Sequence, residues 1–155
     1  MNHNNLTLNE IEINDREKFI DYLLMADENE GIVEKYIQTG KMYSINDLQE
    51  IIGIILFTFP TEDVVEIKNL ALIESSRGKG YGNEVIQRAV CLFQEKGYRK
   101  IIVGTANSSI GNISFYQKAG FRIVSIRKNF FLNYPELIIE NGIRALDMIL
   151  FENIL

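Results

Sequence analysis

The sequence predicts a mixed α/β fold, a sheet with helices packed on it. Three observations carry this. Short segments rich in β-branched and aromatic residues, such as Gln49–Phe59 and Ile101–Thr105, alternate with segments whose apolar residues recur every three or four positions. Glycines stand where the helical segments should stop, at 40, 97 and 120. The 155 residues, 46 % hydrophobic and 24 % charged, suit one domain over 1–155 that buries about 70 % of its unfolded surface without a disulfide or metal staple.

The elements follow in order. Residues 5–13 alternate apolar and polar side chains and read as a strand. Asn14 or Asp15 can cap a helix to Met25, with Phe19, Ile20, Leu23 and Leu24 on its apolar face. A second short helix fits 29–39, where Val33, Tyr36 and Ile37 share a face. Lys41–Ile45 and Gln49–Phe59 are strand-like and flank Asn46-Asp47, a hairpin-turn dipeptide. Pro60 to Asp63 is the next turn, and Val64–Ile73 a further strand. A glycine-rich loop, 75–82, leads into a helix to Lys96 with the buried stripe Val85, Ile86, Ala89, Val90 and Phe93. Ile101–Thr105 is a short strand, and Ser108 or Ser109 can cap a helix to Ala119. Phe121–Arg127 and Ile143–Phe151 complete the strands. Residues 130–141 stay open, except that Pro135 excludes a central strand there.

Composition excludes several classes. The longest apolar run, Ile51–Phe59, is nine residues, and a membrane span needs about 20. The first thirty residues carry many acids and no apolar signal core, so a cytoplasmic location is expected. One cysteine, Cys91, makes neither an internal disulfide nor a zinc site, and no metal is expected. In the helix it reads as core or boundary filling. The lone His3, near the N-terminus, argues against a histidine-dependent triad. The net charge of −5 disfavours a nucleic-acid binder. Its distribution is uneven: Arg77–Lys128 holds ten Lys/Arg against Glu84 and Glu95, a net of +8, and the remainder is −13. That split fits a basic wall for an anionic ligand beside an acidic wall for a cationic one.

Gly78, Gly80 and Gly82 lie between a strand and a helix. A helix start offers unpaired N–H groups and about half a positive charge, and glycine lets backbone approach a phosphate closely. Arg77 and Lys79 add charge. The Walker pattern fails because Gly82 is followed by Asn83-Glu84, and the dinucleotide fingerprint lacks its third glycine.

Residues Leu70–Gly82 resemble the acetyl-coenzyme A loop of the GNAT N-acetyltransferase superfamily, Gln/Arg-x-x-Gly-x-Gly/Ala after a strand ending Leu-Ala-Val. Tyr116-Gln-Lys-Ala-Gly-Phe121 resembles that family's second signature, Tyr-x-Lys-x-Gly-Phe. The resemblance is strong over 64–128 and weak over the first 60 residues. Asn107–Phe121 and the run 139–143 are similar to a bacterial subgroup of small-molecule acetyltransferases.

The resemblance implies one domain with a mostly antiparallel twisted sheet of six to seven strands, about four flanking helices, and a splay at the cofactor site. It implies transfer of acetyl from acetyl-CoA to a primary amine by direct attack. Backbone groups of Leu70, Ala71 and Leu72 would pair with the pantetheine, and N–H groups of Arg77, Gly78, Lys79, Gly80, Tyr81 and Gly82 would hold the pyrophosphate. The N–H near Leu72 would face the oxyanion. Tyr116 occupies the position of the acid that protonates the departing thiolate. Glu66, eleven residues before Arg77, stands where some members carry a base. Strand alternation puts it on one face with Lys68 and Leu70 unless a bulge intervenes. Glu136, Asp147 or a water chain are the alternatives. The family often has an asparagine seven residues before the tyrosine. Here that position is Ser109, and Asn107 or Asn112 is the expected substitute, each equally readable as a helix-cap residue.

The acceptor side would comprise the acids at 27–34 with Phe130, Phe131, Tyr134 and Glu136, which suits a small-molecule amine. The expected partners are that amine and either no second subunit or one copy of itself, without nucleic acid or membrane. A non-catalytic acetyl-CoA-binding sensor or assembly module, or an enzyme acting on a protein amine, is the competing reading.

Overall fold

The computed structural model describes residues 5–155, so His3 lies outside the described residues. Seven strands, β1 (Leu6–Glu10), β2 (Lys41–Asp47), β3 (Glu50–Thr61), β4 (Val64–Leu72), β5 (Lys100–Ala106), β6 (Arg122–Arg127) and β9 (Met148–Ile154), form one sheet in the order β1-β2-β3-β4-β5-β9-β6. Strands β7 (Ile139–Glu140) and β8 (Ile143–Arg144) form a separate hairpin. The helices are α1 (Ile20–Ala26), α2 (Glu30–Tyr36), α3 (Tyr81–Glu95) and α4 (Ile110–Lys118). Only β4 and β5 pair in parallel, because α3 carries the chain back between them. The mostly antiparallel sheet matches the fold class expected from sequence.

The nine-residue apolar run belongs to β3, which is covered on both faces. Alternation sends Ile55 and Phe57 toward α3 and α4, and Ile54 and Leu56 toward α1 and α2. On the first face Val85, Ile86, Ala89 and Phe93 pack against Val65, Ile67, Val103 and Phe151. Phe57 and Phe93 meet edge-on at 4.8 Å. On the second, Leu23, Val33, Tyr36 and Ile37 cover Met42, Ile54, Leu56 and Ala71.

Strand β4 carries the feature that shapes the site. Leu56 faces Asn69, but the next pair is Phe57 with Ile67, so Lys68 is an extra residue on β4. A bulge of this kind reverses which face later side chains take. Val65 and Ile67 point toward α3, and so do Leu70 and Leu72, while Asn69 and Ala71 point toward α1 and α2.

Several boundaries differ from the sequence expectation, each for a local reason. Strand β2 continues through Asn46-Asp47, and the hairpin turns at Leu48, held at φ 57°. Strand β3 continues through Pro60 because the ladder with β4 is irregular between Thr58 and Thr61, where no N–H is needed. The first helix begins as a 3-10 turn over Ile13–Phe19, with Glu12 rather than Asn14 or Asp15 at its start. The last predicted strand is two elements. Asn141 and Gly142, at φ 55° and 72°, turn the β7–β8 hairpin, and β9 starts only at Met148. Cys91 is exposed on α3 rather than packed in the core.

One buried charge ties the α1–α2 layer to the sheet. Arg16 is 3 % exposed, and its guanidinium donates to the carbonyls of Ile37 at 3.0 Å, Thr39 at 2.7 Å and Gly40 at 2.9 Å. All three lie at the end of α2 and the start of β2. Arg16→Met should therefore lower the unfolding free energy by about 3 kcal/mol, because these carbonyls lose their donor. Urea denaturation checks this. A loss below about 1 kcal/mol would show that water replaces the guanidinium at no cost.

Candidate active site

The loop before α3 is built for backbone presentation. A 3-10 turn at Glu74–Ser76 and an extended Arg77 bring the chain to Gly78 and Gly80, at φ +71° and +87°. Both glycines are required by that left-handed backbone. A Cβ on Gly78 would meet nothing within 4 Å, so open space lies over it. Gly80 starts α3, and no side chain caps the helix there. The first-turn N–H groups thus present the positive end of a 15-residue helix to whatever lies over the loop. Gly82 has another reason to be glycine: a Cβ there would come within 2.8 Å of the Phe115 ring, so its smallness seats α3 on α4. The Tyr81 hydroxyl donates to Asp47 at 2.6 Å, which raises its pKa and fastens the helix start to β2.

Next to this loop the sheet comes apart. Strands β4 and β5 pair only from Val64–Ile67 to Lys100–Val103, although each runs several residues further. The Ile73 N–H donates to the Ile52 carbonyl at 2.8 Å, and hydrogen-bonded positions alternate along an antiparallel ladder. Ala71 and Asn69 therefore direct their peptide groups to β3. A Cβ on Gly53 would run into the Ala71 carbonyl oxygen, which agrees. Leu70 and Leu72 direct theirs toward the gap. This removes Ala71 from the backbone set expected to receive an extended ligand and keeps Leu70 and Leu72. The Leu72 carbonyl accepts a hydrogen bond from Arg77 Nε at 2.9 Å.

Two clefts of about 450 Å³ each meet at this gap. One lies over the glycine loop, between α3 and α4, and is lined by Gly78, Gly80, Asn83, Phe115 and Lys118. The other opens toward α1 and the segment after β6, where Asp27, Asn69, Phe131, Tyr134 and Glu140 line it. Leu70, Leu72, Arg77, Asn112 and Tyr116 line both. Tyr116 is 7 % exposed and packed by Phe115, Phe121 and Phe151 at ring distances of 5.0 to 5.8 Å. Burial pushes its pKa well above that of free tyrosine, so the hydroxyl keeps its proton through neutral and mildly alkaline pH.

Other candidates are placed elsewhere. The bulge at Lys68 takes Glu66 off the face of Leu70. Glu66 accepts a hydrogen bond from Thr58 Oγ1 at 3.1 Å, lies 4.0 Å from Lys68 Nζ, and stands outside the cleft lining. Asn107 is neither a helix cap nor a cleft residue. Its side-chain oxygen accepts from the N–H groups of Leu146 and Asp147 at 2.8 and 3.0 Å, and its nitrogen donates to the Arg144 carbonyl. Asn112 remains in the site, with Nδ2 3.4 Å from Thr105 Oγ1. Of the expected acceptor side, Asp27, Glu28, Phe130, Phe131 and Tyr134 line the cleft, whereas Glu30, Glu34 and Glu136 do not. Glu140 was missed. It accepts from the hydroxyls of Ser108 and Ser109 at 3.2 and 2.9 Å, so Ser109 starts α4 without capping it. Asn69 was also missed, although a lone amide inside an apolar strand was its visible signal.

The sequence profile of the Acetyltransferase (GNAT) family matches residues 9–121. The chain belongs to the GNAT acetyltransferase family. The uncharacterized N-acetyltransferase YvbK of Bacillus subtilis (strain 168) is 39 % identical over 134 residues, 86 % of each chain. Among solved structures, a GNAT family acetyltransferase from Elizabethkingia anophelis with acetyl-CoA bound is 38 % identical, with a TM-score of 0.90 over 98 % of this chain and 99 % of that one. An IAA acetyltransferase from Bacillus cereus ATCC 14579 is 36 % identical, with a TM-score of 0.87 over 97 % and 99 %. A Bacillus subtilis acetyltransferase in complex with CoA is also 36 % identical, with a TM-score of 0.85 over 97 % of each chain.

As a GNAT enzyme the protein is an acetyl-CoA-dependent N-acetyltransferase. Its residues fit that substrate: uncapped helix N–H groups and open space over Gly78 suit a pyrophosphate, and the parted strands suit an extended pantetheine. No helix of the described residues is long and apolar enough to cross a membrane, and no three described His, Cys, Asp or Glu are grouped to hold a metal. The placement of Asn107 gives a test. Asn107→Ala should cost about 1–2 kcal/mol of stability, because the Leu146 and Asp147 N–H groups lose their acceptor, while the acetyl-CoA dissociation constant stays within threefold. Thermal denaturation and calorimetric titration check the two halves. A tenfold loss of affinity would return Asn107 to the binding site.

Proposed function

We propose that the enzyme transfers acetyl from acetyl-CoA to the primary amine of a small molecule by direct attack, with Tyr116 as the acid. The meeting of the two clefts at Leu70, Leu72 and Tyr116 carries this reading, because a ligand from each side reaches the same peptide groups and the same hydroxyl. Arg77 and the N–H groups from Gly78 to Gly82 hold the pyrophosphate; the carbonyl and N–H of Leu70 extend the sheet onto the pantetheine. Lys79 contributes charge at the loop. The amine nitrogen attacks the thioester carbon, and the carbonyl oxygen gains charge toward the Leu72 N–H. A donor so placed is worth about 3 kcal/mol in the transition state. The C–S bond then breaks, the sulfur takes the Tyr116 proton, and the proton lost by the amine passes through water and restores the Tyr116 hydroxyl.

Burial keeps Tyr116 in the protonated form that this role needs, while making the phenol a weaker acid than free tyrosine. A tyrosine that ionised near pH 10 would compete with an alkylamine of pKa about 10.4 for the same pH range.

Tyr116→Phe should lower kcat by about 10²-fold at unchanged acetyl-CoA affinity, since it removes only the acid. Glu66→Gln should keep kcat within about threefold, since the carboxylate faces Thr58 and not the cleft. Thiol release from acetyl-CoA with a panel of primary amines reads both. Unchanged turnover in Tyr116→Phe would remove this acid from the mechanism, and a hundredfold loss in Glu66→Gln would restore the carboxylate as base. Saturable acetyl-CoA binding without turnover of any amine would favour a binding module instead.

A further inference from the structure

The acceptor half of the cleft holds hydrogen-bond acceptors that acetyl transfer as described leaves unused. Asn69 is 4 % exposed, and its Nδ2 donates to the Leu23 carbonyl and to the Tyr36 hydroxyl oxygen, each at 2.9 Å. The Leu23 carbonyl can only accept, which fixes the amide with nitrogen toward α1. The opposite atom, Asn69 Oδ1, is buried without a partner. The Tyr36 hydroxyl, accepting from Asn69, donates its own proton to Asp27 Oδ2 at 3.2 Å. The Asn29 N–H approaches Asp27 Oδ1 at 3.4 Å. Among the described residues no Lys or Arg forms an ion pair with Asp27. Lys68 stands 5.4 Å over the Tyr36 ring and 4.0 Å from Glu66.

The same cleft is lined by Phe130, Phe131 and Tyr134, a cluster with Phe131 4.9 Å from Phe130 and 5.0 Å from Tyr134. The Asp27 charge adds to burial in raising the Tyr134 pKa, so the carboxylate and this aromatic cluster share one space. Glu28 and Glu140 add negative charge to the lining, against Lys68 and the Arg77 already bonded to Leu72.

We infer that the acceptor is an aliphatic diamine, with Asn69 Oδ1 positioning the reacting nitrogen and Asp27 holding the second, protonated one. The division follows from charge. A carboxylate beside the reacting amine would stabilise its ammonium form, which has no lone pair to attack with. A neutral amide oxygen accepts an N–H without adding a negative charge there, and Asn69 immediately precedes Leu70, whose peptide groups face the gap beside β5. Asp27 sits two hydrogen bonds further along the chain Asn69–Tyr36–Asp27. There a permanent cation gains from the carboxylate and from the aromatic faces together.

This rests on the acetyl-transfer reading above, and the test separates the two. The full chain, saturated with CoA, is titrated calorimetrically with 1,4-diaminobutane and with butylamine, and kcat/KM is measured for both amines. The wild type should prefer the diamine by about tenfold or more in affinity and in kcat/KM. Asp27→Asn keeps an acceptor for the Tyr36 hydroxyl, and it should bring both ratios below about three at unchanged acetyl-CoA affinity. A wild-type ratio near one, or a loss in Asp27→Asn that is equal for both amines, overturns the inference. Asp27-dependent preference in binding with no turnover of either amine supports the diamine site and overturns the transfer reading instead.

Discussion

Everything in the site depends on one extra residue in β4. Lys68 shifts the β3–β4 register between Leu56–Asn69 and Phe57–Ile67, next to the point where pairing with β5 ends. With it, two things change at the same point. Side chains past the bulge exchange faces, so Asn69 and Ala71 turn toward α1 and α2 while Leu70 and Leu72 take the α3 side. The pairing with β5 also stops at Ile67–Val103, so the outward peptide groups of Leu70 and Leu72 meet no strand. Backbone groups inside a sheet are rarely left unpaired, because the loss of each hydrogen bond is costly. An extended chain supplied by a substrate completes such a ladder, which is how a defect in the sheet becomes a binding groove.

The uneven charge in the sequence takes on a spatial meaning from the same gap. The cleft over the glycine loop is lined by Arg77 and Lys118 and by no acid. The cleft on the other side has Asp27, Glu28 and Glu140 in its wall, with Lys68 and Arg77 as its cations. The two mouths of one passage thus carry opposite charge, and the basic one suits the polyanionic acetyl-CoA. Arg77 belongs to both walls, and its hydrogen bond to the Leu72 carbonyl orients it at the junction.

What could be read from the sequence was local. The glycine loop, the helix it starts and the Tyr116 signature are runs of neighbours whose meaning survives without knowing where other strands lie. The apolar stripe Val85–Phe93 and the two-sided run in β3 are periodic, and periodicity is a property of the segment itself. What escaped depends on partners far along the chain. A one-residue bulge leaves no compositional trace, yet it decides that Glu66 and Leu70 part company. Asn107 looks like a helix-cap residue until Leu146 and Asp147, about forty positions on, are seen to use its oxygen. Ser109 likewise looks like a cap until Glu140 takes its hydroxyl.

Two buried tyrosines show how partners, more than burial, divide the labour. Desolvation is the largest cause holding the pKa of both Tyr36 and Tyr116 far above that of free tyrosine. Tyr36 is committed: it accepts from Asn69 and donates to Asp27, so its proton cannot be offered to a leaving group without breaking the chain that holds the acceptor wall. Tyr116 is held by rings, Phe115, Phe121 and Phe151, which fix its position and dry its surroundings without claiming its hydroxyl. A hydroxyl locked into a hydrogen-bond chain transmits position, and one held only by packing keeps its proton uncommitted.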